Sequence, residues 1–155
     1  MKIDLKDLRP LMDEAFKNGN TFSIYVHGTS MRPLFNDETI VELKQDFNIS
    51  KGDIVFYQRD NGQYVLHRIK KINKDSYNIV GDHQYKIEKN VNKNNIIAKV
   101  VSYTKKEKKY YLNNFKYKIY KFIIKFGIIR YLFSHLTWKR KQLYYQYYLY
   151  FQVLY

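Results

Sequence analysis

Residues 53–72 read DIVFYQRDNGQYVLHRIKKI, two runs rich in β-branched and aromatic residues on either side of Asp60-Asn61-Gly62. Asn-Gly accepts the positive φ angle that tight hairpin turns require, so this stretch predicts two antiparallel strands joined by a short turn. Similar runs flank it, separated by turn residues, and they are TFSIYV, TIVEL, SYNIV and IIAKVVSY. Regularly spaced strands of this kind predict an antiparallel, mainly β domain.

The chain of 155 residues is long enough for one domain with a hydrophobic core plus appendages. We divide it into an N-terminal helix at residues 1–20, a β-rich domain at residues 21–104 and a basic, aromatic-rich helical tail at residues 105–155. The first residues mix both charge signs and contain no long apolar run, so they predict neither a signal peptide nor a membrane anchor. The expected location is therefore the cytoplasm.

The N-terminal helix is predicted from five apolar residues at helical spacing, which are Leu5, Leu8, Leu11, Met12 and Phe16. Gly19 is typical of a helix C-terminus. Pro10 should lie in the first turn of this helix or kink it. We expect a short helix that packs on the main domain.

The tail carries most of the formal net charge of +14, because from Lys108 to Tyr155 there are ten Lys or Arg and no Asp or Glu. Its stretch 115–136 is apolar, but three basic residues interrupt it, and each central charge costs about 2.5–3.5 kcal/mol on insertion scales. A spanning helix is therefore disfavoured. The amphipathic pattern fits equally a helix docked on the domain and one lying peripherally on an anionic membrane surface.

Several kinds of chemistry have little support in this sequence. The absence of cysteine excludes a disulfide, a thiolate nucleophile and a Cys-based metal site. The four histidines form no metal-binding pattern, and no glycine-rich phosphate loop follows a strand; the histidines are His27, His67, His83 and His135. We expect no metal and no cofactor. Of the kinds of chemistry considered, catalysis by a serine nucleophile remains.

Residues 27–35, HGTSMRPLF, place Ser30 in a turn after a predicted strand. A serine hydroxyl is a weak nucleophile unless a base takes its proton, and it acts best where backbone N–H groups can stabilise the oxyanion. The tight turn at Gly28-Thr29-Ser30 could supply such groups. Taken alone, however, the stretch is also an ordinary turn, since Ser, Gly and Pro dominate turns.

Four segments in order resemble the S24/S26 peptidase superfamily, which includes type I signal peptidases and the self-cleaving LexA-like repressors. GTSMRPLF is similar to its Gly-x-Ser-Met-x-Pro box, and KGDIVFYQ to its second box. YVLHRIKKI falls where the family has its general base, and IVGDHQ is similar to its final Gly-Asp box. The resemblance covers about Ile24 to Val101 and implies a signal peptidase/LexA-like antiparallel β domain.

The resemblance implies that Ser30 is the nucleophile and His67 the general base. Bacterial signal peptidases and LexA-like proteins use a lysine as the base, whereas the signal peptidases of archaea, the endoplasmic reticulum and some spore-forming bacteria have a His-Arg pair, which His67-Arg68 resembles. A histidine suits this role, because its pKa near 6.5 needs little adjustment to act as a base near neutral pH.

The acids of the histidine branch lie in the Gly-Asp box and six residues later, which here are Asp82 and Glu88. Asp82 matches, and we predict it as the catalytic acid, while Glu88 replaces the usual aspartate and is a candidate second acid. The oxyanion donors implied are the Ser30 N–H and the Thr29 hydroxyl, because Gly28 stands where many signal peptidases have a donating serine.

The function expected from this resemblance is a serine endopeptidase that cleaves an extended peptide or precursor protein through a Ser-His dyad and an acyl-enzyme. A self-cleaving LexA-like regulator is an alternative, although the sequence has no Ala-Gly or Cys-Gly bond and too few residues ahead of the domain for a DNA-binding module. The other alternative is a non-catalytic module whose basic tail binds a membrane or nucleic acid. Nucleic acid is the less expected partner. An A+T-rich genome would also favour the abundant lysine, which would explain part of the basic character without any partner.

Overall fold

The computed structural model describes residues 5–124, which form two helices around an antiparallel sheet. The helices are α1 (Leu5–Lys17) and α2 (Phe115–Ile124). The strands are β1 (Phe22–Tyr25), β2 (Ile40–Lys44), β3 (Ile54–Gln58), β4 (Tyr64–Ile72), β5 (Ser76–Val80), β6 (Glu88–Asn92), β7 (Ile96–Lys105) and β8 (Lys108–Tyr111), with a 3-10 turn at Lys93–Asn95. The strand order is β1-β2-β7-β3-β4-β5-β6, and β8 pairs with β7. The predicted fold class is confirmed.

The predicted hairpin joins β3 and β4, which pair from Gln58↔Tyr64 to Ile54↔Arg68. The Gly62 N–H donates to the Arg59 carbonyl at 2.8 Å, and the Arg59 N–H donates to the Gln63 carbonyl at 2.9 Å. Gly62 takes the positive φ, 84°. This pattern is that of a three-residue turn ending in a glycine bulge, one of the common ways to close a hairpin.

The core has two parts, which lie on opposite faces of β3. Side chains alternate along a strand, so Ile54 and Phe56 belong to one hydrophobic cluster, while Val55 and Tyr57 belong to the other. The first cluster also contains Met12 and Phe16 of α1, together with Met31 and Phe35, which follow Ser30 in the chain. The turn that contains Ser30 is therefore anchored in the main core.

Helix α1 confirms the predicted N-terminal helix and ends at the predicted glycine. Gly19 has a φ of 73°, its N–H donates to the Phe16 carbonyl at 3.0 Å, and the Asn20 N–H donates to the Ala15 carbonyl at 2.9 Å. These two bonds form a Schellman cap. Pro10 lies inside α1 rather than in its first turn, where it contributes no N–H to the helix.

Helix α2 begins the predicted tail helix and packs on the domain. Asn114 caps it, because its side-chain oxygen accepts from the Tyr117 N–H at 2.7 Å. Tyr117 and Ile124 are buried. The rest of the predicted helix, residues 125–136, and the end of the tail lie outside the described residues. Within residues 5–124, no helix is both long and apolar enough to cross a membrane.

Candidate active site

The turn after β1 holds Ser30 in a fixed position at the surface of the domain. Gly28 has a φ of 94°, and its N–H donates to Asp37 Oδ1 at 2.9 Å, which ties the start of the turn to the loop before β2. Met31 and Phe35 are buried in the core. Ser30 itself is half-buried, so its hydroxyl sits on a rigid support at an accessible place.

His67 lies in β4 with only 2% of its surface exposed. Its Nδ1 is 3.0 Å from Glu88 Oε1 and 3.4 Å from the Tyr57 hydroxyl. Because a carboxylate only accepts hydrogen bonds, the contact with Glu88 requires the proton on Nδ1. In the neutral ring, Nε2 is then the basic nitrogen.

The charge states around His67 favour a neutral base beside an ionised acid. Burial lowers the pKa of the His67 imidazole below its ordinary value, although the Glu88 carboxylate opposes this shift. Burial acts to raise the pKa of Glu88, but hydrogen bonds from Arg59 and Tyr57 outweigh it, so that pKa is below its ordinary value. Arg59 holds Glu88 with two hydrogen bonds, one of them Nε to Oε2 at 2.8 Å.

The Gly-Asp turn after β5 brings the Ser30 turn and His67 together. The His83 N–H donates to the Ser30 carbonyl at 2.8 Å. A Cβ atom on Gly81 would lie 2.6 Å from the Ser30 carbonyl oxygen and 3.1 Å from His67 Nε2. The Ser30 carbonyl oxygen and His67 Nε2 therefore both lie close beside Gly81.

A cleft of about 390 Å³ opens over these residues. Residues 24–31 and residues 63–67 both line it, so Thr29, Ser30 and His67 border the same space. Among the described strands, β1 pairs only with β2, and β5 joins β4 only from Arg68 onward. The cleft is thus lined by residues of two strands that each have an edge without a paired strand, the kind of edge to which an extended chain can bind.

Asp82 does not contact the Nδ1 of His67. It is 1% exposed, and its two carboxylate oxygens accept from Arg68 Nε at 2.7 Å and from Arg68 Nη2 at 2.6 Å. The Tyr120 hydroxyl of α2 donates to Asp82 Oδ2 at 2.9 Å. Of the two acids suggested by the sequence, the structure therefore brings Glu88 to His67. It places Asp82 in a buried ion pair with Arg68, the residue that follows His67.

Sequence reasoning missed the residues that hold the two acids. Arg59 and Tyr57 hold Glu88, and their only sequence signal is that they belong to the hairpin that also carries His67. Tyr117 and Tyr120 contact the pair of Arg68 and Asp82 from a helix much further along the chain, which no local pattern indicates. Within residues 5–124, no group of three side chains is arranged to hold a metal ion.

Replacing Gly81 by alanine should disturb this arrangement, because the added Cβ would meet a backbone oxygen that cannot move aside. We expect Gly81→Ala to lower the free energy of unfolding by about 1–3 kcal/mol and to shift the NMR signals of Ser30 and His67. Gly62→Ala is the control for the spectra: its positive φ also costs stability, but the space around Gly62 is open, so the NMR signals of Ser30 and His67 should not shift. A Gly81→Ala protein with unchanged stability and spectra would contradict the close approach.

Comparison with known proteins identifies the family of this chain. A family model described as Peptidase S24-like matches residues 3–101, a span that includes Ser30, His67, Asp82 and Glu88. No curated protein and no solved structure matched the chain. The family model covers more than half of the chain and agrees with the resemblance carried by the four sequence boxes. The chain belongs to the Peptidase S24-like family.

Proposed function

We propose that this protein is a serine endopeptidase in which Ser30 is the nucleophile, His67 is the general base and Glu88 positions His67. The observation that carries the proposal is the buried imidazole of His67, whose Nδ1 contacts Glu88 at 3.0 Å and which lines the same cleft as Ser30. A nucleophile, a base and an acid that orients the base form the arrangement found in serine hydrolases on unrelated folds.

In the proposed acylation step, Ser30 Oγ forms a bond with the carbonyl carbon of the scissile peptide while its proton passes to His67 Nε2. The imidazolium is stabilised by the ionised Glu88 on the other side of the ring. The tetrahedral intermediate then expels the amine, whose nitrogen takes the proton from Nε2, and an ester on Ser30 remains. A water molecule then gives a proton to His67 Nε2 and attacks the ester carbonyl. Hydrolysis of the ester restores the free Ser30 hydroxyl.

The oxyanion in this scheme would be held by donors of the Ser30 turn. The Ser30 N–H and the Thr29 hydroxyl are the groups we assign to this role, and both residues line the cleft. Their position is fixed by the buried Met31 and by the bond from the His83 N–H to the Ser30 carbonyl. Donors held in this way need no rearrangement when negative charge develops.

An extended peptide or an unfolded part of a precursor protein is the substrate class that the cleft fits. Residues of β1 and of the first half of β4 line it, and each of these strands has an unpaired edge, so a bound chain could hydrogen-bond to the backbone of either strand. A substrate held in this way presents its main-chain carbonyl to Ser30. A globular protein without a free segment could not enter.

The choice of a histidine base is supported by what lines the cleft. LexA-like proteins resemble this chain but use a lysine, and no lysine is found among the described residues that line the cleft. Lys70, three residues after His67, lines a different cavity beside α2. A buried imidazole with a lowered pKa is neutral at pH 7 and needs no further adjustment to accept the Ser30 proton.

The test is to incubate the wild type, Ser30→Ala and Ser23→Ala with a library of extended peptides and candidate precursors, and to identify products by mass spectrometry. Ser23 is an exposed serine on β1 and serves as the control. We expect cuts with the wild type and with Ser23→Ala but none with Ser30→Ala. Each protein is also incubated alone, since cleavage of the chain itself would instead support the self-cleaving regulator. If no product depends on Ser30, the peptidase proposal is wrong.

A further inference from the structure

Helix α2 has two faces with opposite surroundings. Its inner face packs on the domain through Tyr117, Tyr120, Lys121 and Ile124, with Lys121 Nζ 3.1 Å from Asp53 Oδ1. The outer face is apolar yet exposed, and its residues are Phe115, Ile119, Phe122 and Ile123. At 3.6 residues per turn, these four positions fall within an arc of about 100°. Docking on the domain therefore uses only half of this helix.

Basic residues border the exposed apolar face on both sides. Lys116 and Lys118 are exposed, and the helical repeat places one on each flank of the apolar arc. The sequence that follows α2 adds Lys125, Arg130 and Lys139-Arg140-Lys141 without any acidic residue. An apolar face flanked by cations is the pattern of helices that lie in the interface of an anionic bilayer.

A cavity of about 290 Å³ opens on the Lys118 flank of α2 and is lined by cations. They are Lys51, Arg68, Lys70, Lys118 and Lys121, and none of the described lining residues is acidic. Two of these cations have acidic partners, since Asp82 pairs with Arg68 and Asp53 pairs with Lys121. Lys51 and Lys118 are exposed. Phe122, 62% exposed, lines the same cavity, so the basic cavity and the apolar face are continuous.

We propose that the outer face of α2 binds the surface of an anionic phospholipid bilayer, with the adjacent basic cavity receiving a lipid phosphate group. Burial of the apolar arc among acyl chains and attraction between lysines and phosphates supply the two contributions that interfacial binding needs. A nucleic acid would use the lysines but would gain little from a row of isoleucine and phenylalanine side chains. This proposal does not depend on the proposed reaction.

The test measures sedimentation of the full chain with vesicles of phosphatidylcholine alone and with vesicles containing about one-third phosphatidylglycerol. The wild type should bind the anionic vesicles, weakly or not at all the neutral ones, and less at high salt. Phe122→Ser should weaken binding to anionic vesicles by about tenfold. Phe47→Ser, at a phenylalanine that is 63% exposed but distant in sequence from α2, should bind like the wild type.

The charge contribution is tested separately with Lys118→Glu, which should weaken binding to anionic vesicles by about fivefold or more. Lys74→Glu, at an exposed lysine in the turn between β4 and β5, should weaken it by about twofold or less. Both replaced lysines are exposed, so circular dichroism and thermal unfolding should match the wild type. Wild-type binding by both Phe122→Ser and Lys118→Glu would overturn the proposal. So would equal binding to both kinds of vesicle, no vesicle binding, or binding only to an oligonucleotide.

Discussion

Glu88→Gln should lower the turnover number of the proposed peptidase reaction by roughly 10³–10⁴-fold while changing substrate affinity little, because the acid would act on the base and not on the bound peptide. In the proposed reaction, the carboxylate, 3.0 Å from His67 Nδ1, fixes the proton on that nitrogen and stabilises the imidazolium that forms during acylation. A glutamine can present its N–H₂ group to the ring instead, which would favour the proton on Nε2 and so remove the base.

The pH dependence provides a readout that a merely structural role of Glu88 would not change. The folded His67 has a lowered pKa, so activity should rise with pH through a value below about 6.5 and then level off. Because the pKa of His67 is lower in the folded than in the unfolded chain, the free energy of unfolding should fall as the pH drops below the pKa of His67 in the unfolded chain. Glu88→Gln removes the anion that favours the imidazolium, and the imidazole titration, followed by NMR, should move further toward acid.

Glu42→Gln is the matched control for this experiment. Its side chain is 23% exposed, against 24% for Glu88, and it also forms an ion pair, with Lys109. Hydrogen bonds from Lys109, Ser102 and Thr21 lower the pKa of Glu42 to about 2, but it does not line the cleft. Glu42→Gln should keep full turnover. If Asp82→Asn abolished turnover with unchanged folding while Glu88→Gln did not, the acid would be Asp82, as the sequence resemblance implied.

Arg68→Met should have the largest effect on stability, a loss of about 3–5 kcal/mol, because it leaves the Asp82 carboxylate buried without its counter-charge. The Arg68 guanidinium also donates to the Gly52 carbonyl at 2.7 Å and to the Tyr117 hydroxyl at 2.8 Å. Asp82 in turn raises the pKa of Arg68, against the opposing effect of burial. Urea unfolding of the full chain measures this loss.

Two variants show whether the loss comes from the buried charge. Arg32→Met removes the exposed pair between Arg32 and Asp37, whose atoms are 3.4 Å apart, and should cost less than about 1 kcal/mol. The double variant Arg68→Met/Asp82→Asn removes both charges and should recover part of the loss of the single variant. An Arg68→Met protein as stable as Arg32→Met would mean that the pair is not buried in solution.

The elements that the sequence predicted well are those with local signals. The turn at Asp60-Asn61-Gly62 and the stop at Gly19 depend on backbone angles that glycine favours, and the structure has both. The family resemblance named both Ser30 and His67, and the fold brings the two to one cleft. Each of these features can be recognised within a few neighbouring residues or in a motif.

Which of Asp82 and Glu88 contacts His67 could not be predicted from the sequence, because the contact depends on strand register. The pairing of β5 with β6 has a register shift and places Glu88, the first residue of β6, opposite Ile79. From this position Glu88 contacts His67. Sequence spacing does not reveal such a shift. The docking of α2 was equally open, since an amphipathic pattern does not specify whether a protein core or a lipid surface covers the apolar side.

The contacts of α2 also show that the folded unit extends beyond the family match. The Peptidase S24-like match stops at residue 101, yet Tyr117 and Tyr120 supply hydroxyls to the Arg68–Asp82 pair, and Lys121 neutralises Asp53. A fragment trimmed to the matched span would lack both hydroxyls and would expose to water the ion pair that Asp82 of the Gly-Asp turn forms with Arg68. Domain boundaries taken from the family match alone would therefore remove helix α2, whose side chains contact the ion pair next to the candidate active site.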